Sequence, residues 1–174
     1  MDKTASNLIR VIPDFPKPGI VFKDITPLLA DPKTFSESCQ EIADLAEQVD
    51  YLAGIEARGF IFAAAAASIS KKGFIPIRKL GKLPGEIISQ SYDLEYGQAT
   101  LEIHANIIPA GRKVLIVDDV LATGGTAIAA IDLILQARLI PVGACFLIEI
   151  AGLGGRSRIN QAHGGLQIST ILAE

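Results

Sequence analysis

The sequence predicts an α/β fold, a mostly parallel sheet flanked by helices. Short apolar runs of strand length alternate with longer segments of helical periodicity. The run Lys113 to Val117 is a block of Val, Leu, Ile and Val, as expected of a central parallel strand covered on both faces. Where such strands end, small or charged residues follow and a helix begins. In open sheets of this kind, ligands sit beyond the carboxyl ends of the strands. The segments after Ile55, Ile77 and Val117 are therefore expected to share one face of the molecule.

Taken in order, Ser6 to Ile12 reads as a short helix. Pro13 to Gly19 carries three prolines that forbid regular structure. Ile20 to Phe22 is a short apolar piece. Asp31-Pro32 opens a helix, with Asp as N-cap and Pro in the first turn, and the helix is expected to run to about Gln48. Its apolar side is Phe35, Cys39, Ile42, Ala43, Ala46 and Val49. Tyr51 to Ile55 is a buried strand, Phe60 to Lys71 a helix and Phe74 to Arg78 a strand. Lys79 to Gln98 has charges, glycines and few periodic apolar residues, and reads mostly as a long loop. Ala99 to His104 alternates like a strand. Gly124 to Arg138 is helical, with Ala127, Ile128, Ile131, Ile134 and Leu135 on one side. Pro141 to Ile150 and Gln167 to Ile171 complete the strands.

The 174 residues suit one domain with one core, and no internal repeat or linker divides them. With 49% hydrophobic and 20% charged residues, the chain has the balance of a folded globule, not of a disordered tail. A net charge of −3 and no basic stripe argue against nucleic-acid binding. Cys39 and Cys145 match no metal or redox spacing and read as reduced thiols of a cytoplasmic protein. The first ten residues lack the apolar centre of a signal peptide, and the alanine-rich run Phe60 to Ile69 is too short to span a bilayer. His104 and His163 are isolated and read as structural.

The chemistry concentrates in Val114-Leu115-Ile116-Val117-Asp118-Asp119-Val120-Leu121-Ala122-Thr123-Gly124-Gly125-Thr126. A buried strand leads into two carboxylates, and a loop of small residues opens a helix. Loop amides from Ala122 to Thr126 and the helix dipole favour an anion there. Gly124 and Gly125 permit close backbone approach, and the Thr123 and Thr126 hydroxyls add donors. Gly-Lys-Thr/Ser is missing, so this is not a nucleotide P-loop, and no G-x-G-x-x-G is present. One phosphate is the natural load. Asp118 and Asp119 lie where a sugar on that phosphate would place its hydroxyls, which carboxylates accept well. Adjacent strand residues face opposite ways, so the two acids are not expected to chelate one metal together.

This thirteen-residue run resembles the binding motif of the type I phosphoribosyltransferases. Pro13 to Pro27, Gly54 to Phe60, Lys79 to Gly85 and Tyr92 to Gly97 resemble, in the same order, segments of the adenine-using branch of that family. The fold implied is the family's: one domain over residues 1–174, with an N-terminal hood over about 1–30 and a mobile catalytic loop over about 79–98. The reaction implied is adenine plus phosphoribosyl pyrophosphate giving AMP and pyrophosphate, with Mg2+ held mainly by the substrate and not directly by the protein. A homodimer is implied as well. The Pro13 to Pro27 segment argues against hypoxanthine, guanine or xanthine as the base.

The resemblance also implies residue roles. Arg58, Arg78 and Lys82 meet the pyrophosphate, which the forked donors of arginine suit. Glu95 and Tyr96, with Arg58 and Lys82, belong to the catalytic set. Glu95 either stabilises the cationic ribose or manages the proton of the base, and both roles stay open. Phe22 lies against the adenine ring, with backbone groups of Val21 and Lys23 reading its edge. Two departures stand out: Ala63 where many relatives have glycine, and Lys23 where arginine is common. Gly152 to Arg158 matches loosely and is assigned no role.

Overall fold

Apolar side chains alternate between the two faces of the central strands, so helices must cover both. A computed structural model describes residues 5–93 and 97–172. After a single turn of 3-10 helix at Ala5–Leu8, β1 (Arg10–Ile12) and β2 (Phe22–Asp24) pair as a separate antiparallel ribbon. Next come α1 (Thr26–Ala30), α2 (Pro32–Asp44), β3 (Tyr51–Ile55), α3 (Arg58–Ser70) and β4 (Gly73–Lys79). A hairpin of β5 (Ile87–Asp93) and β6 (Gln98–His104) precedes β7 (Lys113–Leu121), α4 (Gly125–Gln136) and β8 (Ile140–Glu149). The described chain closes with α5 (Gly155–Ala162) and β9 (Gln167–Leu172).

The main sheet has seven strands in the order β5-β6-β4-β3-β7-β8-β9. From β4 to β9 neighbouring strands are parallel, while β6 joins β4 antiparallel and carries β5 at the edge. Ile55 pairs with Ile77, and Gly54 with Val117, so the three expected segments do leave the sheet at one end. On one face Leu52, Leu115, Val117 and Leu147 pack with Phe62 and Ala66 of α3 and Ile42 of α2. On the other, Ala53, Ile75, Ile116 and Phe146 pack with Ala130, Ile131 and Ile134 of α4. The site is thus carried on strands whose flanks are buried on both sides.

The predicted cap of α2 is present: the Asp31 carboxylate accepts from the Thr34 amide at 2.7 Å. That helix ends at Asp44, with a turn filling the span to Gln48. Two expectations are corrected. Ser6 to Ile12 is helical only through Leu8, as a 3-10 turn, because Arg10 to Ile12 pair with β2, a partner beyond the proline-rich loop. The stretch Lys79 to Gln98 contains β5, whose seven residues all pair with β6. Its half-buried positions are Ile88, Gln90 and Tyr92, and the polar Gln90 obscures the alternation. Gln90 is placed by α4, whose Gln136 amide donates to its Oε1 at 2.6 Å.

Candidate active site

The turn from β7 into α4 presents backbone amides at a helix N-terminus, an arrangement that favours an anion. Gly124 caps α4 with φ +84°, a left-handed value that glycine adopts without steric cost. The first bond within the helix runs from the Ile128 amide to the Gly124 carbonyl at 3.0 Å. The amides of Gly125, Thr126 and Ala127 precede it and point out of the helix end. A small cavity of about 70 Å³ opens there, lined by residues of the turn together with Asp118 and Phe146. The expected phosphate seat, Ala122 to Thr126, is therefore an accessible cradle.

Two features behind the cradle went unread in the sequence. A Cβ on Gly155, at the start of α5, would lie 2.3 Å from the Ala122 carbonyl, and one on Gly124 would lie 2.8 Å from the Gly155 carbonyl. The α5 backbone thus presses directly on the turn, and only glycine allows it. Arg158 adds a hydrogen bond to the Thr123 carbonyl at 3.1 Å. Gly152 to Arg158, assigned no role from sequence, therefore buttresses the cradle. A Gly-Gly pair at 154–155 was its one visible signal.

Asp118 and Asp119 both lie within β7, which extends past Val117 to Leu121. Asp118 lines the cradle and accepts from the Asp119 amide at 2.9 Å. Asp119 is buried at 5% exposure and pairs with Arg58, its Oδ2 lying 2.7 Å from Nε. Burial pushes the Asp118 carboxyl well above the usual range, and the Asp119 charge adds to this. Burial also raises Asp119, while Arg58 pulls the other way. Gly59 lets the start of α3 come this close, since a Cβ there would meet the Val117 carbonyl at 2.7 Å.

Arg58 joins three elements. Besides Asp119, it donates from one Nη to the Lys23 carbonyl at 2.9 Å, and its guanidinium lies over the Phe22 ring at 4.9 Å from the centroid. Phe22 and Lys23 of the N-terminal ribbon are thereby brought to the acids, although Lys23 is 35 residues from Arg58 in sequence. Val21 stands exposed just before β2. Arg78, at the end of β4, donates to Glu56 Oε2 at 3.0 Å, and the Lys79 amide donates to the same oxygen at 2.8 Å. These bonds, Arg78 first, hold the Glu56 carboxyl below its ordinary value. Glu56 was quoted only as part of a motif, and its anchoring role needed the β3–β4 register to appear. Lys82 is exposed in the turn after β4. Glu95 and Tyr96 lie outside the described residues.

Among the described residues, no group of three or more His, Cys, Asp or Glu side chains could hold a metal. The Asp118–Asp119 pair offers hard oxygen donors but no cage. Such a set suits a cation that draws most of its oxygens from a bound phosphate.

Comparison with known proteins agrees with this layout. Residues 33–163 match the phosphoribosyl transferase domain family. An adenine phosphoribosyltransferase of Thermobifida fusca is 54% identical over 153 residues, covering 87% of each chain. The crystal structure of adenine phosphoribosyltransferase from Rhodothermus marinus superposes with a TM-score of 0.90 at 44% identity, covering 98% of this chain and 96% of that one. The Saccharomyces cerevisiae enzyme, solved with an imino-altritol bisphosphate and adenine, gives a TM-score of 0.90 at 37% identity, covering 98% and 97%. With identity at this level sustained over nearly the whole length, the chain belongs to the adenine phosphoribosyltransferases, within the phosphoribosyl transferase domain family.

Proposed function

We propose that the protein transfers 5-phosphoribose from phosphoribosyl pyrophosphate to adenine, giving AMP and pyrophosphate. The observation that carries this reading is the placement of an anion cradle, a carboxylate pair and an arginine stacked on an aromatic ring at one end of the sheet. The 5-phosphate sits on the amides of Ala122 to Thr126, and the Thr123 and Thr126 hydroxyls assist. Asp118 and Asp119 accept from the ribose hydroxyls and so orient C1 of the sugar. Phe22 offers a flat face to the base. Backbone groups of Val21 and Lys23 read its edge.

In the reaction the bond from C1 to the pyrophosphate oxygen breaks and a bond from C1 to a ring nitrogen of adenine forms. The bond pair leaves with pyrophosphate, and the base gives up its ring proton. Charge builds on both fragments of the donor, so preorganised charge is the main catalytic resource. Arg58, Arg78 and Lys82 stabilise the departing pyrophosphate. A Mg2+ ion held chiefly by oxygens of the donor, beside the carboxylates of Asp118 and Asp119, would supply further positive charge there. Glu95 either stabilises the cationic ribose or manages the proton of the base, and Tyr96 stands beside it in the catalytic segment. The N-terminal ribbon and the segment between β4 and β6, which carries β5, would keep water from the reacting centre. The protein acts as a cytoplasmic homodimer. Its two free cysteines suit a reducing compartment, and Ile61, Ile69 and Phe74 leave apolar surface along α3 and β4.

The test is to incubate the protein with phosphoribosyl pyrophosphate, Mg2+ and adenine, hypoxanthine, guanine or xanthine, following pyrophosphate release. AMP formation strongly favoured over the other nucleotides is expected. A preference for guanine rejects the base assignment, and no turnover with any base rejects the activity. Glu95→Ala is expected to lower turnover more than it weakens ribose 5-phosphate binding.

A further inference from the structure

The hairpin strand β5 touches the cradle directly. Thr126, in the first turn of α4, donates its hydroxyl hydrogen to Tyr92 Oη at 3.3 Å. The same ring lies close over the turn, since a Cβ on Gly125 would sit 3.7 Å from Tyr92 Cδ2 and 3.6 Å from the Asp93 carbonyl. Tyr92 is half-buried, and its ring packs against the core on the α4 side of the sheet. The Gln136–Gln90 bond holds β5 to α4 further along. The Tyr92 hydroxyl is thus delivered to the cradle by a braced element.

A threonine hydroxyl has one hydrogen and two lone pairs, and a phenol can donate or accept. We propose that Tyr92 is a positioning residue for the sugar phosphate: its hydroxyl reverses from acceptor to donor and aims the Thr126 hydrogen at the phosphate. The proposal rests on the reading of Ala122 to Thr126 as the phosphate seat. When Thr126 gives its hydrogen to a phosphate oxygen, its Oγ1 is left with lone pairs toward Tyr92. Tyr92 then donates to Oγ1, and the two bonds run in one direction, each polarising the other. At 3.3 Å the contact is long for an O–H···O bond, which leaves room for the reversed, phosphate-polarised bond to shorten. No bond between heavy atoms changes and no proton is transferred; two hydroxyl hydrogens turn. Tyr92 thus contributes to phosphate affinity without touching the phosphate.

The test is a double-mutant cycle with ribose 5-phosphate as the probe, read by calorimetry on the full chain. Tyr92→Phe keeps the ring and removes only the hydroxyl. It is expected to weaken ribose 5-phosphate binding about three- to tenfold, the scale of one neutral hydrogen bond, with Tm unchanged. KM for phosphoribosyl pyrophosphate should rise by a similar factor while kcat and KM for adenine stay constant. In a Thr126→Val background, the further loss on Tyr92→Phe should vanish; in a Thr126→Ser background it should persist. A merely structural tyrosine would lower Tm, or would cost the same with valine at 126, and either result overturns the proposal. Wild-type binding with no change in Tyr92→Phe overturns it too and leaves the phosphate seat standing. If the wild type binds no ribose 5-phosphate, the seat itself is wrong and the proposal goes with it.

Discussion

Arg58 Nε lies 2.7 Å from Asp119 Oδ2, and the same guanidinium covers the Phe22 ring. One side chain thus connects β7 to the N-terminal ribbon of β1 and β2. Arg58→Lys keeps the charge but loses the planar fork and the stacking. The expected result is a fall in kcat/KM of about ten- to a hundredfold, the scale of charged hydrogen bonds, measured by AMP formation. Lys23 meets Arg58 through its backbone carbonyl, which Lys23→Ala keeps, so that variant should lose far less.

Gly155 and Gly125 should respond differently to substitution. Gly155→Ala forces a Cβ onto the Ala122 carbonyl at 2.3 Å. Overpacking of this kind costs about 1–3 kcal/mol, so both Tm and ribose 5-phosphate affinity should fall. A Cβ on Gly125 meets only ordinary contacts at 3.6 and 3.7 Å, so the fold should survive Gly125→Val while phosphate binding is lost. Thermal unfolding and calorimetry on the two variants check the contrast.

The acid pair gives a pH prediction. Burial raises both Asp118 and Asp119, so each takes up its proton at a higher pH than the ordinary value of 3.8. Ribose 5-phosphate affinity should therefore begin to fall above that pH as the solution is acidified. A raised carboxyl costs folding stability at pH values above its folded pKa, and the cost is relieved on protonation. Asp118→Asn should accordingly raise Tm at pH 7 while lowering affinity for ribose 5-phosphate.

Asp24 behaves in the opposite sense. It accepts from the Thr26 hydroxyl and amide at 2.6 and 2.9 Å and pairs with Arg10. These contacts, the Thr26 hydroxyl first, hold its carboxyl down at about 2. Its contribution is full above the unfolded value of 3.8 and is lost as pH falls toward 2. The Tm difference between wild type and Asp24→Asn should shrink across that window.

Cys39 and Cys145 are buried, and burial pushes their thiols up to about 11 and about 12. The thiolate is the reactive form, so neither should be alkylated in the native protein at pH 8. Both should react after unfolding in guanidinium, as followed with a chromogenic disulfide.

The strand-turn-helix from Val114 to Thr126 was readable because its signals are local: a buried run, small residues and a helix start. The parallel sheet followed from the alternation of elements. Contacts between distant residues were not readable. Nothing near Arg58 in sequence shows that it meets Phe22, nor does anything near Ala122 show that Gly155 presses on it. β5 was missed because its inward face includes Gln90, whose side-chain oxygen accepts from Gln136 of another element. Glu56 likewise gains its role only when β3 and β4 lie in register.

The ribbon of β1 and β2 is not part of the seven-stranded sheet. In the proposed reading, selection among nucleobases is therefore made on a ribbon outside the main sheet, while the grip on the sugar phosphate is made by the innermost framework. Changes in that ribbon could then retune the choice of base while leaving the anion cradle untouched. Arg58 is the joint at which such changes must still be compatible with the rest.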